Sequence, residues 1–412
     1  MTKVNKWTLG LAAVGLVSLP AVVQAEEKTN QVLTALASTT ISGYVDTSAH
    51  WTLGSGNNNP PAYAYNGKSK QDGFNLNVVD VTIEKPLDEG TWSAGYKIEL
   101  WFGPNAGVLG NNIGGSTAST AGGGGDLAIK QAFVDLRVPV GNGLDIKIGT
   151  FDTIIGYETA NATTNPNYTR SYGYTIEPTQ NTGILATYNV NKLVSLSGGI
   201  VNTWSAGLNN RSARGESNKG YMGSVTLTAP DSFGPIAGSS LYAGIVDGYN
   251  SQVGNDATSF YLGGTLATPI KKLKLGAAWD YLHIHDNSFN SPTIGGHVTG
   301  YAQSVAVYAS VQATEKLGLH LRGEWFDITD GAASNGTSAH GTQTSLGGIP
   351  SEALAITGTI QYDLWANVLS RLELRWDHSL AEGKPFGGSS GGVAGSSKKN
   401  EVLVAANIIY KF

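Results

Sequence analysis

Apolar residues recur at every second position in about sixteen separate segments of roughly ten residues, a repeat that constrains this chain more than any other feature. The segments fall near 39–51, 74–85, 92–102, 127–138, 144–151, 180–189, 193–203, 219–229, 236–248, 257–268, 273–285, 300–313, 316–328, 352–362, 368–380 and 401–412. A period of two is that of a strand with unlike faces. From Trp92 to Phe102 one face carries Trp92, Ala94, Tyr96, Ile98, Leu100 and Phe102, and the other carries Lys97 and Glu99. Near the C-terminus Leu372, Leu374 and Trp376 oppose Arg371, Glu373, Arg375 and Asp377. Leu319, Leu321 and Trp325 oppose His320, Arg322 and Glu324 in the same way, and Leu275, Ala277 and Trp279 oppose Lys274 and Asp280.

Short and long connections alternate along the chain. The turns near Pro86–Gly90, Pro139–Gly143, Asn189–Lys192, Pro269–Lys272 and Thr314–Lys316 are short, and most carry Pro, Gly or Asn. Long polar segments lie between them, near 52–73, 103–126, 152–179, 204–218, 286–299, 329–351 and 381–400; only 249–256 is short on that side. Strands of this length cross a bilayer when tilted. An even strand number with such segregated loops predicts an all-β fold over 39–412: a closed antiparallel transmembrane β-barrel of about 16 strands, with short periplasmic turns and long extracellular loops. Trp92, Phe102, Trp279, Trp325, Trp376, Tyr410 and Phe412 sit near the ends of apolar faces, where a membrane–water boundary is expected. A β-sandwich buries one face of each strand and gives the same alternation. That rival is a secreted or surface adhesin or lectin-like protein, and it offers no reason for loop lengths to segregate. A barrel of this size encloses water, which solvates the polar faces.

Residues 1–25 combine Lys3 and Lys6, an apolar run from Leu9 to Val23 and the small-residue site Val23–Ala25, so a secretory signal peptide cleaved before Glu26 is expected. Its removal takes away two lysines and no acid, moving the formal charge from −5 to −7. Residues 26–38 are then expected to make a short periplasmic segment with one or two helical turns. The chain has no cysteine, which excludes disulfides, thiolate metal sites and thiol nucleophiles. After the signal no run of about 18 apolar residues remains to make a transmembrane helix.

The stretches Ile41–Asp46 with His50 and Trp51, Asp72–Asn77, Glu84–Gly90, Lys130–Val134, Gly149–Asp152 with Gly156–Glu158, Asn167–Gly173 and Thr182–Gly183 carry a family likeness. On them the chain resembles the OmpL-like β-barrel porins of Gram-negative and related bacteria. The terminal Phe412, with Tyr410 two residues earlier, also resembles the assembly signal of outer-membrane proteins. The resemblance implies an outer-membrane channel and carries over neither a solute nor binding residues. The second half of the chain matches only by pattern.

A porin acts through charges fixed around water, so the polar face holds the candidate pore lining. The candidates are Lys97, Glu99, Asp135, Arg137, Lys147, Arg322, Glu324, Arg371, Glu373, Arg375 and Asp377. Mutual cross-strand pairing is the plain alternative for any one of them. The third outer loop, about 152–179, differs from the Gly/Ser loops in carrying Asp152, Tyr157, Glu158, Arg170, Tyr172 and Glu177. It is expected to fold into the lumen as the constriction, with Glu158 and Arg170 as opposed charges and Tyr157 and Tyr172 as packing or sliding surface; an ordered outer lid is the alternative.

Other chemistry is weakly signalled. His283 and His285 share a strand face, with Asp286 and His297 in the next loop, but a strand end near outer water suits solvated histidines better than a metal site. No nucleophile–base spacing marks an enzyme, and Gly122–Gly125 precedes no helix and reads as loop, not phosphate cradle. The expected function is therefore a non-enzymatic porin passing small hydrophilic solutes and ions by diffusion, with a substrate-specific channel as its alternative. No cofactor, metal or nucleic acid is expected. Expected partners are outer-membrane lipid, the barrel insertion machinery and the solutes, with a homotrimer as a candidate assembly.

Overall fold

The computed structural model describes residues 38–109, 111–113, 126–205, 207–212, 217–250, 255–270, 272–285, 300–329, 350–389 and 395–412. The expected signal peptide (1–25) and nearly all of the 26–38 segment lie outside the described residues, as do Gly122–Gly125, Asp286 and His297.

Among the described residues seventeen strands form a single antiparallel sheet. They are β1 (Thr40–Thr52), β2 (Gly73–Lys85), β3 (Ser93–Phe102), β4 (Asn112–Ile113), β5 (Leu127–Val138), β6 (Leu144–Asp152), β7 (Gln180–Asn189), β8 (Val194–Val201) and β9 (Gly220–Thr228). The rest are β10 (Ser240–Asn250), β11 (Asn255–Ala267), β12 (Leu273–Ile284), β13 (Gly300–Gln312), β14 (Leu317–Ile328), β15 (Glu352–Trp365), β16 (Val368–Ser379) and β17 (Asn400–Lys411). The two-residue β4 is an addition within the second outer connection, because β3 pairs directly with β5 from Ser93↔Arg137 to Phe102↔Leu127. Sixteen strands therefore build the wall. It closes where β1 meets β17, from Tyr44↔Lys411 to Thr52↔Leu403.

The faces divide as the alternation requires. On β16, Leu372 and Leu374 are 53% and 55% exposed, whereas Arg371, Glu373, Arg375 and Asp377 are at most 3% exposed. Ile98, Val134, Ile148, Ile184, Leu262, Val307, Leu321, Ile356 and Ile408 continue the outer apolar surface around the wall. A continuous apolar surface of this extent far exceeds what a water-soluble protein presents and suits hydrocarbon. Among the described residues no helix is long and apolar enough to cross a membrane.

Hairpin chemistry sets the short turns. Asn191 Oδ1 accepts from the Leu193 and Val194 N–H groups at 2.8 and 2.9 Å, and Asn367 takes a positive φ between β15 and β16. β15 runs on to Trp365 rather than 362, and one strand start differs from expectation, β10 beginning at Ser240 rather than near 236. Residues Asp231–Ile236 turn as 3₁₀ helix instead, where Pro235 has no N–H to give a ladder.

Candidate functional site

The third outer connection lies between β6 and β7 and contains a short helix, α1 (Tyr172–Ile176), which sequence periodicity did not reveal. Ser171 caps α1, its side chain accepting from the Tyr174 N–H at 3.0 Å. Five residues are too few to show a period, so only the capping serine was a readable signal.

A β-bulge fixes where this connection starts. Glu99 pairs with Gln131 and Leu100 with Ile129, so Lys130 is the extra residue and both Lys130 and Gln131 are buried. Lys130 Nζ meets Asp152 at 2.6 Å and Glu99 at 3.1 Å. Lys130 was missed at the sequence level because strict alternation gives it the wrong face.

The connection packs against inward residues of β14 and β16. Arg322 Nη1 donates to Glu158 at 2.8 Å and to the Thr169 carbonyl at 2.6 Å, while its Nε reaches Glu324 at 2.7 Å. Glu324 accepts from the Tyr172 N–H at 2.7 Å, and Glu373 from the N–H groups of Tyr168 and Thr169 at 2.6 and 3.0 Å. Arg371 donates to the carbonyls of Ala162 and Asn165, and Arg375 to that of Arg170 at 2.7 Å and to Asp377. Asp377 also accepts from the Tyr172 hydroxyl at 2.8 Å. All six charged side chains are buried, and together they satisfy backbone groups that a structureless loop would leave unpaired.

This arrangement corrects one finer expectation and narrows another. Arg170 is buried, and its guanidinium donates to the carbonyls of Thr159, Ala160 and Tyr168 within its own connection, so it is a structural group rather than an open lumenal charge. Tyr172 is fully buried, so of its two expected roles, packing or sliding surface, it takes the packing one. Tyr157 stacks on Tyr308 with ring centroids 4.0 Å apart, and its hydroxyl pKa is pushed up to about 12 by burial and the neighbouring Glu158. Glu158 itself is held by Arg322, the Ser171 N–H and the Tyr308 hydroxyl.

Glu177 closes the connection. It is buried beside Asp280 of β12, and burial first, then that second carboxylate, holds its pKa well above the ordinary range. Gly156, with φ +115°, leaves the space its carboxyl occupies: a Cβ there would collide with Glu177 Oε2. A carboxyl with a raised folded pKa keeps its proton after the unfolded chain has lost its own, so stability falls as pH rises from about 4.3 towards the raised value and then levels. Glu177→Gln is accordingly expected to flatten that fall and raise the thermal midpoint of the folded barrel at pH 8. Equal wild-type and variant midpoints at pH 5 and pH 8, read by heat-modifiable gel migration, would contradict it.

On the other side of the wall, along β2 to β8, a cavity of about 440 Å³ is lined by Glu84, Lys85, Lys97, Asp135, Lys147 and Asp152 among others, with Phe133, Phe151, Ile154 and Leu185 as its apolar part. Lys97 meets Glu99 at 3.4 Å, and Arg137 is bound to Asp145 at 2.6 Å. Lys147 has no carboxylate within ion-pair distance among the described residues; its ammonium lies 4.8 Å above the Phe133 ring. Of the boundary aromatics, Trp92, Phe102, Trp279, Tyr410 and Phe412 are exposed, while Trp325 and Trp376 donate their indole N–H groups to Glu352 and Asn400. His283 and His285 touch edge to face at 4.4 Å, and among the described residues no metal-holding cluster exists.

Solved barrels share this architecture. The outer membrane channel DcaP of Acinetobacter baumannii aligns with a TM-score of 0.56 at 12% identity, over 91% of this chain and 97% of that one. An anion-selective porin from Comamonas acidovorans gives 0.57 at 15%, over 91% and 99%, and the trimer form of Vibrio cholerae OmpT gives 0.53 at 11%, over 91% and 99%. At these identities the likeness shows the fold alone. A search of curated proteins finds no match. The profile of one family matches residues 38–412, and with its closed sixteen-strand wall and apolar outer face the chain belongs to that family, described as "Putative beta-barrel porin-2, OmpL-like", and is an outer-membrane β-barrel of the porin kind.

Proposed function

We propose that this barrel passes small hydrophilic solutes and ions by passive diffusion, along a path narrowed by the third outer connection and running past the β3–β7 side of the wall. The observation that carries the reading is the division of the lumen. The charges of β14 and β16 are neutralised against the connection, whereas the 440 Å³ cavity beside it is lined by charged and polar groups. Asp152 and Tyr157 are the expected constriction residues that keep partial exposure, the Asp152 side chain being 38% exposed beside Lys130. Insertion machinery, signal cleavage before Glu26 and a homotrimer complete the proposal; the recorded trimer form of the OmpT neighbour supports the last.

Among the described residues Lys147 is the cavity cation with no carboxylate within 4.0 Å, Asp135 lying opposite it across the strand pair, so of the cavity cations it has the largest leverage on permeating ions. Planar-bilayer recording in a salt gradient tests this. Wild type is expected to give discrete ohmic steps, and Lys147→Glu to shift the cation/anion permeability ratio by about twofold or more towards cations, the interaction being weakly screened in a narrow lumen. Arg375→Gln, whose charge is buried, should shift the ratio far less. Steps absent from the purified folded protein would end the channel reading. A larger shift at Arg375 than at Lys147 would move the path to the other side.

A further inference from the structure

The first outer connection is tied at three levels to structures far from it in sequence. At its outer end Asn59 exchanges backbone hydrogen bonds with Gly387 of the last outer connection, at 3.2 and 3.1 Å, and its side-chain amide donates to the Gly387 carbonyl at 2.6 Å. Gly388 follows with φ +84° and sits where a Cβ would collide with the Gly395 carbonyl, so this docking geometry demands glycine. Further in, the Tyr63 ring lies 3.8 Å from the Arg375 guanidinium, and the Ala64 N–H donates to Thr175 Oγ1 of α1 at 2.9 Å. The Tyr65 and Tyr174 hydroxyls are 2.8 Å apart.

Tyr65 holds φ at +64°, a left-handed conformation that bulky residues rarely adopt. Strain of this kind persists only where surrounding contacts over-determine it, and it concentrates in segments that switch. Residues 57–66 are therefore a strap held by its contacts, crossing from the last outer connection to the helix of the third.

We propose that this strap is a gate: seated as described it pins α1 against β12, β13 and β14, with the Tyr172 hydroxyl reaching Asp377 of β16, and when Tyr63 and Tyr65 leave their sites α1 is released and the conductance changes. The proposal rests on the porin reading above. Its anchors on α1, the hydrogen bonds to Thr175 and Tyr174 and the Tyr63 ring against Tyr172, are separate from the Arg322–Glu158 pair, so the strap can part while the base of the connection stays attached.

The absence of native cysteine makes a clean test. Ala64→Cys with Thr175→Cys, joined under oxidation, would fix the strap to α1, and Tyr63→Ala should loosen it. In bilayers of diphytanoyl phosphatidylcholine, the oxidised double variant is expected to show one quiet level, with fluctuations returning on reduction. Tyr63→Ala is expected to show an increase of about twofold or more in mean current, as the population of strap positions shifts. Heat-modifiable migration verifies that each variant is folded, and mass spectrometry verifies the disulfide. Equal mean current and noise in wild type and Tyr63→Ala overturns the gate, whether or not the disulfide forms, as does a verified disulfide without effect. Folded protein that conducts nothing in every variant overturns the porin reading instead.

Discussion

Replacing Arg322 by methionine is expected to detach the third outer connection from the wall and to cost about 3–5 kcal/mol, the usual penalty for removing one partner of a buried ion pair. Arg322 is fully buried and binds Glu158, Glu324 and the Thr169 carbonyl at 2.6–2.8 Å. Without it, Glu158 loses its cation and Glu324 keeps only Arg375 at 3.6 Å, and neither carboxylate can reach water without moving the chain that covers it. The cost should appear as a lower thermal midpoint and as larger, noisier single-channel current. Adding Glu158→Gln and Glu324→Gln to the variant removes the stranded charge and should recover much of the midpoint, because the penalty lies in uncompensated carboxylates rather than in a lost attraction. A variant indistinguishable from wild type in both measurements would show that the pair does not hold the connection.

Leu374→Arg is the second large effect, and it tests the outer face. Leu374 lies mid-strand on β16, 55% exposed, between the inward Glu373 and Arg375. If hydrocarbon covers it, a guanidinium there costs about 2–4 kcal/mol near the bilayer midplane, falling towards zero near the boundaries. Folding into phospholipid bilayers along a urea series measures that cost directly. Lys411→Arg, at the exposed end of β17, is the control expected to change nothing. A cost near zero at Leu374 would mean that its face meets water.

The wall was legible in the sequence because alternation is local: each strand displays its two faces in its own residues, and fifteen of the sixteen wall strands start within a residue or two of where the apolar period starts, β10 being the exception. The charged face was legible for the same reason, down to Arg371, Glu373, Arg375 and Asp377. What those charges touch was not. Glu158 and Arg322 are 164 residues apart, Tyr168 and Glu373 are 205 apart, and no periodicity relates them. The third connection could be recognised as unusual from its tyrosines and charges, yet whether Arg170 faced water or its own carbonyls depended on a fold that only the wall could impose. Lys130 was hidden by the same rule that revealed the strands, since a bulge breaks parity for one residue. Tyr63 and Tyr65 sat among prolines and asparagines that looked like ordinary surface loop.

The junction of β1 with β17 has a kinetic consequence. Thr47 and Ile408, bonded across it, are 361 residues apart, so every other hairpin can zip by near-neighbour contact while this ladder must wait for a search over the whole intervening polymer. Until it forms, two strands present bare backbone edges, each a template for pairing with another molecule. The slowest and most aggregation-exposed moment in the life of this protein is therefore the joining of its first and last strands, and a helper that escorts maturation would have the most to gain by occupying that edge.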